Sequence, residues 1–470
     1  MFILIDKQRD ANYIYQQIYG AIKENILKGK LKANEKLPSK RSLAEQLNVS
    51  INSVSCGYEQ LLAEGYIYTI ERKGYFVENI TEFIEQEKYF KQKLPDDLKE
   101  ESSNWDGWLS LSHMASEISL FPFKEWMKCQ EAAIKSHKRE LSEITYSQGP
   151  YVVRETICRM IALTRGVNCE PEQIVIGAGT QLLVGQLMEL QSKDSVVAVE
   201  NPGYARFYEL LQKMNFAVHP VSLDDQGINM AEIESANANI VFVTPSHQFP
   251  TGKIMPISRR IELLNWAVQN ENRYIVEDDY DSEFKYETDN IPSLQSLDRN
   301  HRVIYMGTFS KTVLPGLRIS YMVLSPDLLR KYRKHYANSM QYSNTLMLFT
   351  LHFFIESGEY ARHVKRMNHQ YETRRKLLIT ELQHRFQEKV QIEDVSAGLH
   401  FLAHFKTKKS YQEIEKRAAQ LKLEIYSMRR FMLKKNAWTE KRLSLLLGFA
   451  NLKEENIAAA VERLYSVILE

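Results

Sequence analysis

Short apolar runs alternate with helical segments between residues 174 and 306, and this alternation restricts the fold of most of the chain. The runs cover residues 174–176, 195–199, 217–218, 240–243, 274–276 and 303–306. Apolar strands separated by helices predict a mainly parallel α/β sheet with helices on both faces. Ligands of such sheets bind at the carboxyl ends of the strands, so the residues that follow each run are the candidates for function.

Small, polar and acidic residues follow these runs. They are Gly179, Thr180 and Gln181 after the first run, Tyr204 and Arg206 after the second, His247 after the fourth, and Asp278 and Tyr280 after the fifth. A glycine turn that opens a helix directs backbone N–H groups at an anion, and a tyrosine face can stack on a flat ring. The acidic segment could pair with a pyridinium N–H or hold Mg²⁺, although no Walker-type lysine loop precedes it.

The segment 308–318 adds a lysine between a hydroxyl and an arginine. Lys311 directly follows Ser310, and Arg318 comes seven residues later. A lysine amine attacks an aldehyde when it is held close and partly desolvated, while a hydroxyl and a guanidinium suit a phosphate dianion. The Ser-Lys pair alone is common. Because pyridoxal 5'-phosphate (PLP) carries both an aldehyde and a phosphate, the whole series of motifs predicts a PLP site.

This series resembles the motifs of the fold-type I, class I aminotransferases over residues 105–470. The resemblance implies that Lys311 forms a Schiff base with PLP, and that Asp278 and Tyr280 hold the ring nitrogen and the phenolic oxygen. It implies further cofactor contacts from Gly179, Thr180, Gln181, Tyr204, His247, Ser310 and Arg318. No metal is expected at this site.

The resemblance also implies a ligand carboxylate. We expect the C-terminal part to form a smaller subdomain from about Ser325, and it contains the sequence YSMRRF at residues 426–431. Aminotransferases place a carboxylate-binding arginine in a similar segment, and Arg430 is preferred over Arg429 because it directly precedes the phenylalanine. Arg206 would be the second carboxylate ligand, since a guanidinium suits a carboxylate.

The first 80 residues predict a winged helix-turn-helix. Apolar residues at three- and four-residue steps predict a helix over 13–27. Two shorter helices are predicted over 39–47, capped by Ser39, and over 51–64, with a turn at 48–50 between them. Two β-rich runs around the charged turn 71–74 then predict a hairpin.

Basic and polar side chains of this region are the candidates for DNA contact. Phosphate contacts are expected from Lys40, Arg41, Arg72 and Lys73, and base contacts from Asn52, Ser53 and Ser55. The alternative is a protein-binding helical domain with solvated charges. The pattern LPSxRxLAxxLxVS at residues 37–50 resembles the GntR regulators, except that Ile51 stands where that family usually has arginine.

Composition limits the remaining choices. A chain of 470 residues is too long to fold around a single hydrophobic core. We therefore expect a DNA-binding domain at 1–80, a charged linker at 81–104 and the PLP domain at 105–470. A net charge of +2 means that DNA binding must depend on local basic clusters. The four cysteines have no zinc-ligand spacing. Neither a signal peptide nor a membrane span is indicated, and we expect a cytoplasmic protein.

A GntR-type head joined to an aminotransferase-like body resembles the MocR subfamily, and within it the members that respond to γ-aminobutyrate (GABA). The resemblance implies a head-to-tail homodimer on promoter DNA. An amino acid effector, GABA, would form an external aldimine with PLP, and the protein would activate or repress genes of GABA catabolism and its own gene. We expect sensing without productive turnover. The alternatives are an active aminotransferase with a DNA-binding appendage and a sensor of PLP itself.

Overall fold

The structure is a computed structural model, and it describes residues 5, 13–80, 94–99, 105–113, 118–286, 291–393, 396–434 and 442–470. The chain divides into two compact units, Met1–Asn104 and Trp105–Glu470. The predicted linker lies outside the described residues except for 94–99, where Asp96–Leu98 form a 3-10 turn. Within the described ranges, no helix is long and apolar enough to cross a membrane.

Three helices and a hairpin make up residues 13–80 of the N-terminal unit. The helices are α1 (Ile14–Leu27), α2 (Lys40–Leu47) and α3 (Ile51–Ala63), and the antiparallel hairpin joins β1 (Ile67–Ile70) to β2 (Gly74–Val77). Ser39 and Ser50 cap α2 and α3, because each side chain accepts a hydrogen bond from a backbone N–H. The predicted winged helix-turn-helix is therefore confirmed.

Apolar spacing explains how this unit holds together. Ile18 and Ile22 of α1 and Val54, Tyr58 and Leu61 of α3 are fully buried in one cluster. Within each helix they lie three or four residues apart, so they share one face. Burying each of these side chains contributes about 1.5–3 kcal/mol. Packing against α1 therefore fixes the position of α3.

Residues with left-handed backbone conformations make the turns of the N-terminal unit. Asn48 ends α2 at φ 51°, and asparagine adopts this conformation at lower cost than most residues. In the hairpin, Arg72 has φ 57° and Gly74 has φ 108°. Arg72 and Lys73 are both exposed at this turn.

An eight-stranded mixed sheet forms the centre of the C-terminal unit. Its strands are, in chain order, β4 (Ile174–Gly177), β5 (Val196–Asn201), β6 (Ala217–Asp224), β7 (Gly227–Ile228), β8 (Ile240–Val243), β9 (Tyr274–Asp279), β10 (Val303–Thr308) and β11 (Ser320–Val323). The short strand β3 (Leu109–Ser110) precedes them in the chain and is not part of this sheet. The order in the sheet is β4-β11-β10-β9-β8-β5-β6-β7. The five strands from β10 to β6 are mutually parallel, which confirms the predicted α/β class.

Strand β11 is the main difference from the predicted sheet. It is antiparallel to both β10 and β4, and it enters the sheet directly after the lysine segment without an intervening helix. The sequence analysis assigns no strand to Ser320–Val323. Its pairing brings Ser320 level with Thr308.

Eleven further helices are described in the C-terminal unit. They are α4 (Phe123–Ser136), α5 (Tyr151–Arg165), α6 (Thr180–Glu189), α7 (Ala205–Lys213), α8 (Met230–Ser235), α9 (Ile257–Val268), α10 (Pro326–His335), α11 (Thr345–Glu356), α12 (Glu359–Phe386), α13 (Tyr411–Gln420) and α14 (Glu454–Leu469). Some of them cover the two faces of the large sheet. Leu183 of α6 packs with Val276 of β9 on one face, whereas Leu263 of α9 packs with the neighbouring Ile275 on the other.

A smaller sheet lies toward the C-terminus. It consists of β12 (Val390–Glu393), β13 (His400–Phe405), β15 (Tyr426–Ser427) and β16 (Leu443–Gly448), while β14 (Leu423–Glu424) pairs with β3. The predicted start of this part near Ser325 is wrong. Leu328 of α10 and Leu348 of α11 are buried in the clusters of the large sheet, whereas the cluster around the small sheet contains residues of α12, α13 and α14 together with Leu111, Phe284 and Tyr286.

Candidate cofactor site and DNA-binding surface

Strand β9 carries three consecutive carboxylates, and its alternation sends them to opposite faces of the sheet. Glu277 accepts hydrogen bonds from two backbone N–H groups at 2.8 and 2.9 Å. Asp279 accepts one from Arg165 Nε at 2.7 Å and one from the Tyr305 hydroxyl at 2.6 Å, all three side chains being buried. Asp278 lies between them and lines the pocket on the opposite face.

Asp278 is suited to a cationic hydrogen-bond donor. Burial raises its pKa to about 7, and the negative charges of Asp279, Asp281 and Glu200 act in the same direction. Its Oδ1 atom is shielded from solvent and has no hydrogen-bond partner within the described part of the chain. A pyridinium N–H would supply both the missing hydrogen bond and a compensating charge.

Lys311 is the reactive amine of the same pocket. Its Nζ donates a hydrogen bond to the backbone carbonyl of His113 at 2.8 Å. Burial lowers the pKa of Lys311 to about 8, and the charge of Asp281 only partly opposes this effect. A much larger share of this amine is therefore neutral near pH 7 than for an exposed lysine.

The pocket has a volume of about 150 Å³ and brings together most of the predicted cofactor residues. It is lined by His113, Thr180, Gln181, Tyr204, Arg206, Thr244, Phe249, Asp278, Tyr280, Thr308, Ser310, Lys311 and Arg318. These residues come from the carboxyl ends of β5, β8, β9 and β10, from the start of α6 and from the segment after β3.

One end of the pocket is built for an anion. Gly179 caps α6 at φ 111°, and a Cβ atom at this position would lie 2.0 Å from Nη2 of Arg318. Only glycine leaves room for the guanidinium beside the N-terminus of α6. The hydroxyl of Ser310 lies 3.0 Å from that of Thr308 on the same side. Backbone N–H groups, a guanidinium and hydroxyls together suit a phosphate.

His247 lies behind the pocket and is not among its lining residues. Its Nδ1 atom is 3.0 Å from the Tyr280 hydroxyl and 2.9 Å from Oδ2 of Asp281. Burial and the Asp281 charge raise the pKa of Tyr280 well above its ordinary value. His247 is thus placed to orient the Tyr280 phenol, while its expected direct contact with the cofactor stays a prediction.

His113 is a lining residue that the sequence analysis did not identify. Burial lowers its pKa to about 3, and the charges of Lys311, Arg430 and Arg206 act in the same direction. No sequence signal pointed to it, because it precedes the predicted strands and its segment is held by remote contacts, namely the pairing of β3 with β14 and a hydrogen bond from the Gly448 N–H to the Leu111 carbonyl.

Of the two candidate carboxylate ligands, Arg206 is a lining residue of the pocket and Arg430 is not. The guanidinium carbon of Arg430 lies 4.8 Å from the ring centre of Tyr426, and both arginines influence His113 electrostatically. Arg430 is also exposed, so its charge is available to a ligand.

Three of the candidate DNA contacts are engaged within the N-terminal unit. Lys40 Nζ donates to the Ser55 hydroxyl at 2.7 Å and lies 3.5 Å from a carboxylate oxygen of Glu59. The Ser53 hydroxyl lies 2.8 Å from that of the helix cap Ser50. An ammonium has three donors and a hydroxyl can both donate and accept, so these groups keep some capacity for a DNA contact beside their present partners.

The other candidates are exposed. They are Arg41 at the start of α2, Asn52 at the start of α3, and Arg72 and Lys73 in the hairpin turn. Ile51, which stands at the position of the usual arginine, is 48% exposed. An exposed isoleucine at the start of α3 offers an apolar contact in place of a charged one.

The two units and the pocket define a class of protein, namely a winged-helix DNA-binding domain joined to an aminotransferase-type PLP domain. Residues 62–464 match the family described as "Aminotransferase class I and II", and residues 14–77 match "Bacterial regulatory proteins, gntR family". The chain belongs to both families, as the MocR-like transcriptional regulators do. The predicted cofactor PLP is thereby confirmed. The unpaired Oδ1 atom of Asp278 fits its pyridine nitrogen, and the cradle formed by Gly179 and the Arg318 guanidinium fits its phosphate.

Named relatives share this organisation. The "Uncharacterized HTH-type transcriptional regulator YdeL" of Bacillus subtilis (strain 168) is 36% identical over 452 residues, which is 96% of each chain. The "Probable rhizopine catabolism regulatory protein MocR" of Rhizobium meliloti is 30% identical and covers 89% of this chain and 86% of its own. A kynurenine aminotransferase structure from Pyrococcus horikoshii has a TM-score of 0.68 at 20% identity, over 83% of this chain and 98% of its own, and supports the fold.

We expect Gly179→Ala to weaken PLP binding by about 10- to 100-fold. The new Cβ would displace the Arg318 guanidinium, and losing one charged hydrogen bond costs about 1.5–3 kcal/mol. Equilibrium titration of the apo protein with PLP, followed by absorbance, measures the effect. Gly185→Ala is the matched control, because a Cβ on Gly185 meets nothing within 4 Å. Equal affinities for the two variants would contradict the assigned cradle.

The uptake of PLP should depend on the protonation of Lys311. Only the neutral amine attacks an aldehyde, and the pKa of Lys311 is lowered to about 8. We therefore expect the rate of PLP attachment to rise with pH through about 8, and not near 10.4 as for an ordinary lysine. Stopped-flow absorbance with the apo protein measures this profile, and Lys311→Ala reports reaction at other lysines. A midpoint near 10 would contradict a desolvated Lys311.

Proposed function

We propose that the protein is a PLP-dependent transcriptional regulator that senses GABA and controls genes of GABA catabolism together with its own gene. In this proposal it acts in the cytoplasm as a head-to-tail homodimer on promoter DNA. The family supports regulation of transcription and a PLP-binding body. The choice of effector depends on the charged groups around the pocket.

The observation that carries the effector proposal is that Arg206 lines the same pocket as the Lys311 amine, while Arg430 is exposed in the short segment after β15. PLP, when bound, supplies an aldehyde carbon that can be transferred from the Lys311 amine to the amine of a ligand. Arg206 and Arg430 then suit a carboxylate at the other end of the same ligand. A short amino acid with separated amine and carboxylate, such as GABA, meets both requirements.

Effector binding can regulate DNA binding through differential affinity. Lys311 loses its link to the cofactor when an effector takes its place, and the effector carboxylate adds contacts to Arg206 and Arg430. A ligand that binds one arrangement of the protein more tightly shifts the population toward it. The coupling is reciprocal, so operator DNA must change effector affinity by the same factor.

An active aminotransferase is the second candidate function. The observation in its favour is that Lys311, Asp278 and Tyr280 all line the pocket, so the groups for amine chemistry on PLP are together. A sensor of PLP alone is the third candidate. DNA binding that responds to PLP but to no amine would favour the sensor, and sustained turnover with a keto acid would favour the enzyme.

Absorbance titration of the PLP-loaded protein tests the effector. We expect a persistent spectral shift with GABA that glutamate, alanine and β-alanine do not produce, and no shift in Lys311→Ala.

Arg430→Ala should weaken GABA binding by about 10- to 100-fold, since a charged hydrogen bond contributes about 1.5–3 kcal/mol. The exposed neighbour Arg429 provides the matched control, Arg429→Ala.

Two outcomes of this titration would contradict the proposal. The absence of any spectral response to GABA would remove GABA sensing. Rapid conversion to a pyridoxamine-type spectrum that a keto acid reverses would identify a working transaminase instead.

The exposed basic residues should determine non-specific affinity for DNA. We expect Arg41→Ala and Lys73→Ala to weaken binding to all sequences alike, and each to reduce the slope of log affinity against log salt by about 1. Fluorescence anisotropy on promoter fragments measures this slope. Lys28→Ala removes the same charge at the end of α1, where Lys28 pairs with Glu24, and serves as the control. Unchanged slopes for both variants would exclude these phosphate contacts.

A further inference from the structure

A second cavity adjoins the PLP pocket and shares one wall with it. Its volume is about 270 Å³, and Thr244, at the end of β8, lines both spaces. The remaining walls come from β5, the turn between β6 and β7, the loop after β8, and strands β12 and β13 of the small sheet. Neither Lys311 nor the two carboxylate-binding candidates line it, so it is separate from the proposed effector site.

The buried carboxylate of Glu200 forms part of this cavity. The residue is only 6% exposed. Its Oε2 atom accepts hydrogen bonds from the Thr244 backbone N–H at 3.2 Å and from the Thr244 hydroxyl at 2.7 Å. Its Oε1 atom has no hydrogen-bond partner among the described residues. The amide of the nearby Gln248 donates instead to the backbone carbonyls of Pro202 and Phe249.

A buried carboxylate oxygen without a donor is costly, and this cost favours a ligand that supplies one. Burial raises the pKa of Glu200 to about 7, against the opposing effects of Thr244 and of the Gln248 side chain, which lies near the carboxylate without a hydrogen bond of good geometry to Oε1. A positively charged donor would stabilise the ionised form. The volume of the cavity is near the lower end of small-molecule sites, so it has room for an organic group as well as a charge.

The rim of the cavity is charged and leaves the entrance polar. Asp225 is exposed, while Asp224 is held by Arg259 at 2.8 Å. On the other side Glu393 lies 3.2 Å from the His404 ring nitrogen. The inner carboxylate therefore differs from those at the rim, because Glu200 alone combines burial with an unpaired oxygen.

We propose that this cavity binds a small primary amine, whose ammonium group donates a hydrogen bond to Oε1 of Glu200. An ammonium provides both the charge and the N–H donor that this oxygen lacks. A metal ion would require several converging ligands, and the acidic and histidine side chains of this cavity form no such cluster among the described residues.

Binding at Glu200 would also affect the PLP pocket. The negative charge of Glu200 is one of the groups that raise the pKa of Asp278. An ammonium at Glu200 offsets that charge and thereby favours ionised Asp278, the form that holds a pyridinium nitrogen. The second site is thus coupled to the cofactor through Glu200 and needs no contact with the effector.

Calorimetric titration tests this proposal in PLP-loaded protein treated with borohydride, which fixes PLP to Lys311 and prevents exchange with added amines. Butylamine and 1,4-diaminobutane are the probes. We expect saturable binding of at least one probe at one site per chain. Glu200→Gln should weaken it at least about tenfold, because the amide removes the charge that strengthens the hydrogen bond. Glu209→Gln removes an exposed charge on α7 and should leave binding unchanged.

A crystal structure of the wild-type protein with the bound probe provides a test that does not depend on the folding of a variant. The amine nitrogen should lie about 3 Å from Oε1 of Glu200. Failure of both probes to bind at 10 mM, about the weakest affinity that calorimetry resolves, would overturn the proposal. Equal affinity in Glu200→Gln, or a probe located elsewhere in the crystal, would do the same. GABA sensing at Lys311 could still hold in each of these cases.

Discussion

The buried ion pair between Arg165 and Asp279 fixes the strand on which the cofactor site depends. Strand β9 brings acidic residues into the centre of the sheet, where unpaired charges are costly. Arg165 and Tyr305 neutralise Asp279 on one face, and backbone N–H groups hold Glu277 there. Because neighbouring side chains of a strand point to opposite faces, this anchoring turns Asp278 toward the pocket. Removing one partner of such a buried pair typically costs about 3–5 kcal/mol.

Desolvation then acts in opposite directions on the acid and the amine of the pocket. It raises the pKa of Asp278 to about 7 and lowers that of Lys311 to about 8, because in each case burial disfavours the charged form. The cofactor supplies what both groups lack, a pyridinium donor for Asp278 and an aldehyde for Lys311. Glu200, which lines the second cavity, also has a carboxylate oxygen without a hydrogen-bond donor among the described residues. Its negative charge contributes to the raised pKa of Asp278, and this effect links the two cavities electrostatically.

The proposed regulator and the alternative, an active aminotransferase, would both use this pocket. The charged groups around it are the ones that would select a ligand. Arg206 lines the pocket beside His113, and the backbone carbonyl of His113 accepts a hydrogen bond from Lys311. In the N-terminal unit, internal hydrogen bonds engage Lys40, Ser53 and Ser55, whereas Arg41, Asn52, Arg72 and Lys73 are exposed.

The sequence by itself determined the winged helix-turn-helix, the α/β class and the cofactor, because apolar periodicity, helix caps and strand-end motifs are local properties of the chain. Only the tertiary structure decided what depends on distant pairing. The antiparallel β11, the placement of α10 and α11 on the large sheet, and the entry of His113 into the pocket all result from contacts between remote segments. His247 follows β8, as the sequence analysis expects of a site residue, but it contacts the Tyr280 hydroxyl and does not line the pocket. The free oxygen of Glu200 is likewise invisible in the sequence, since it follows from which donors the fold brings near.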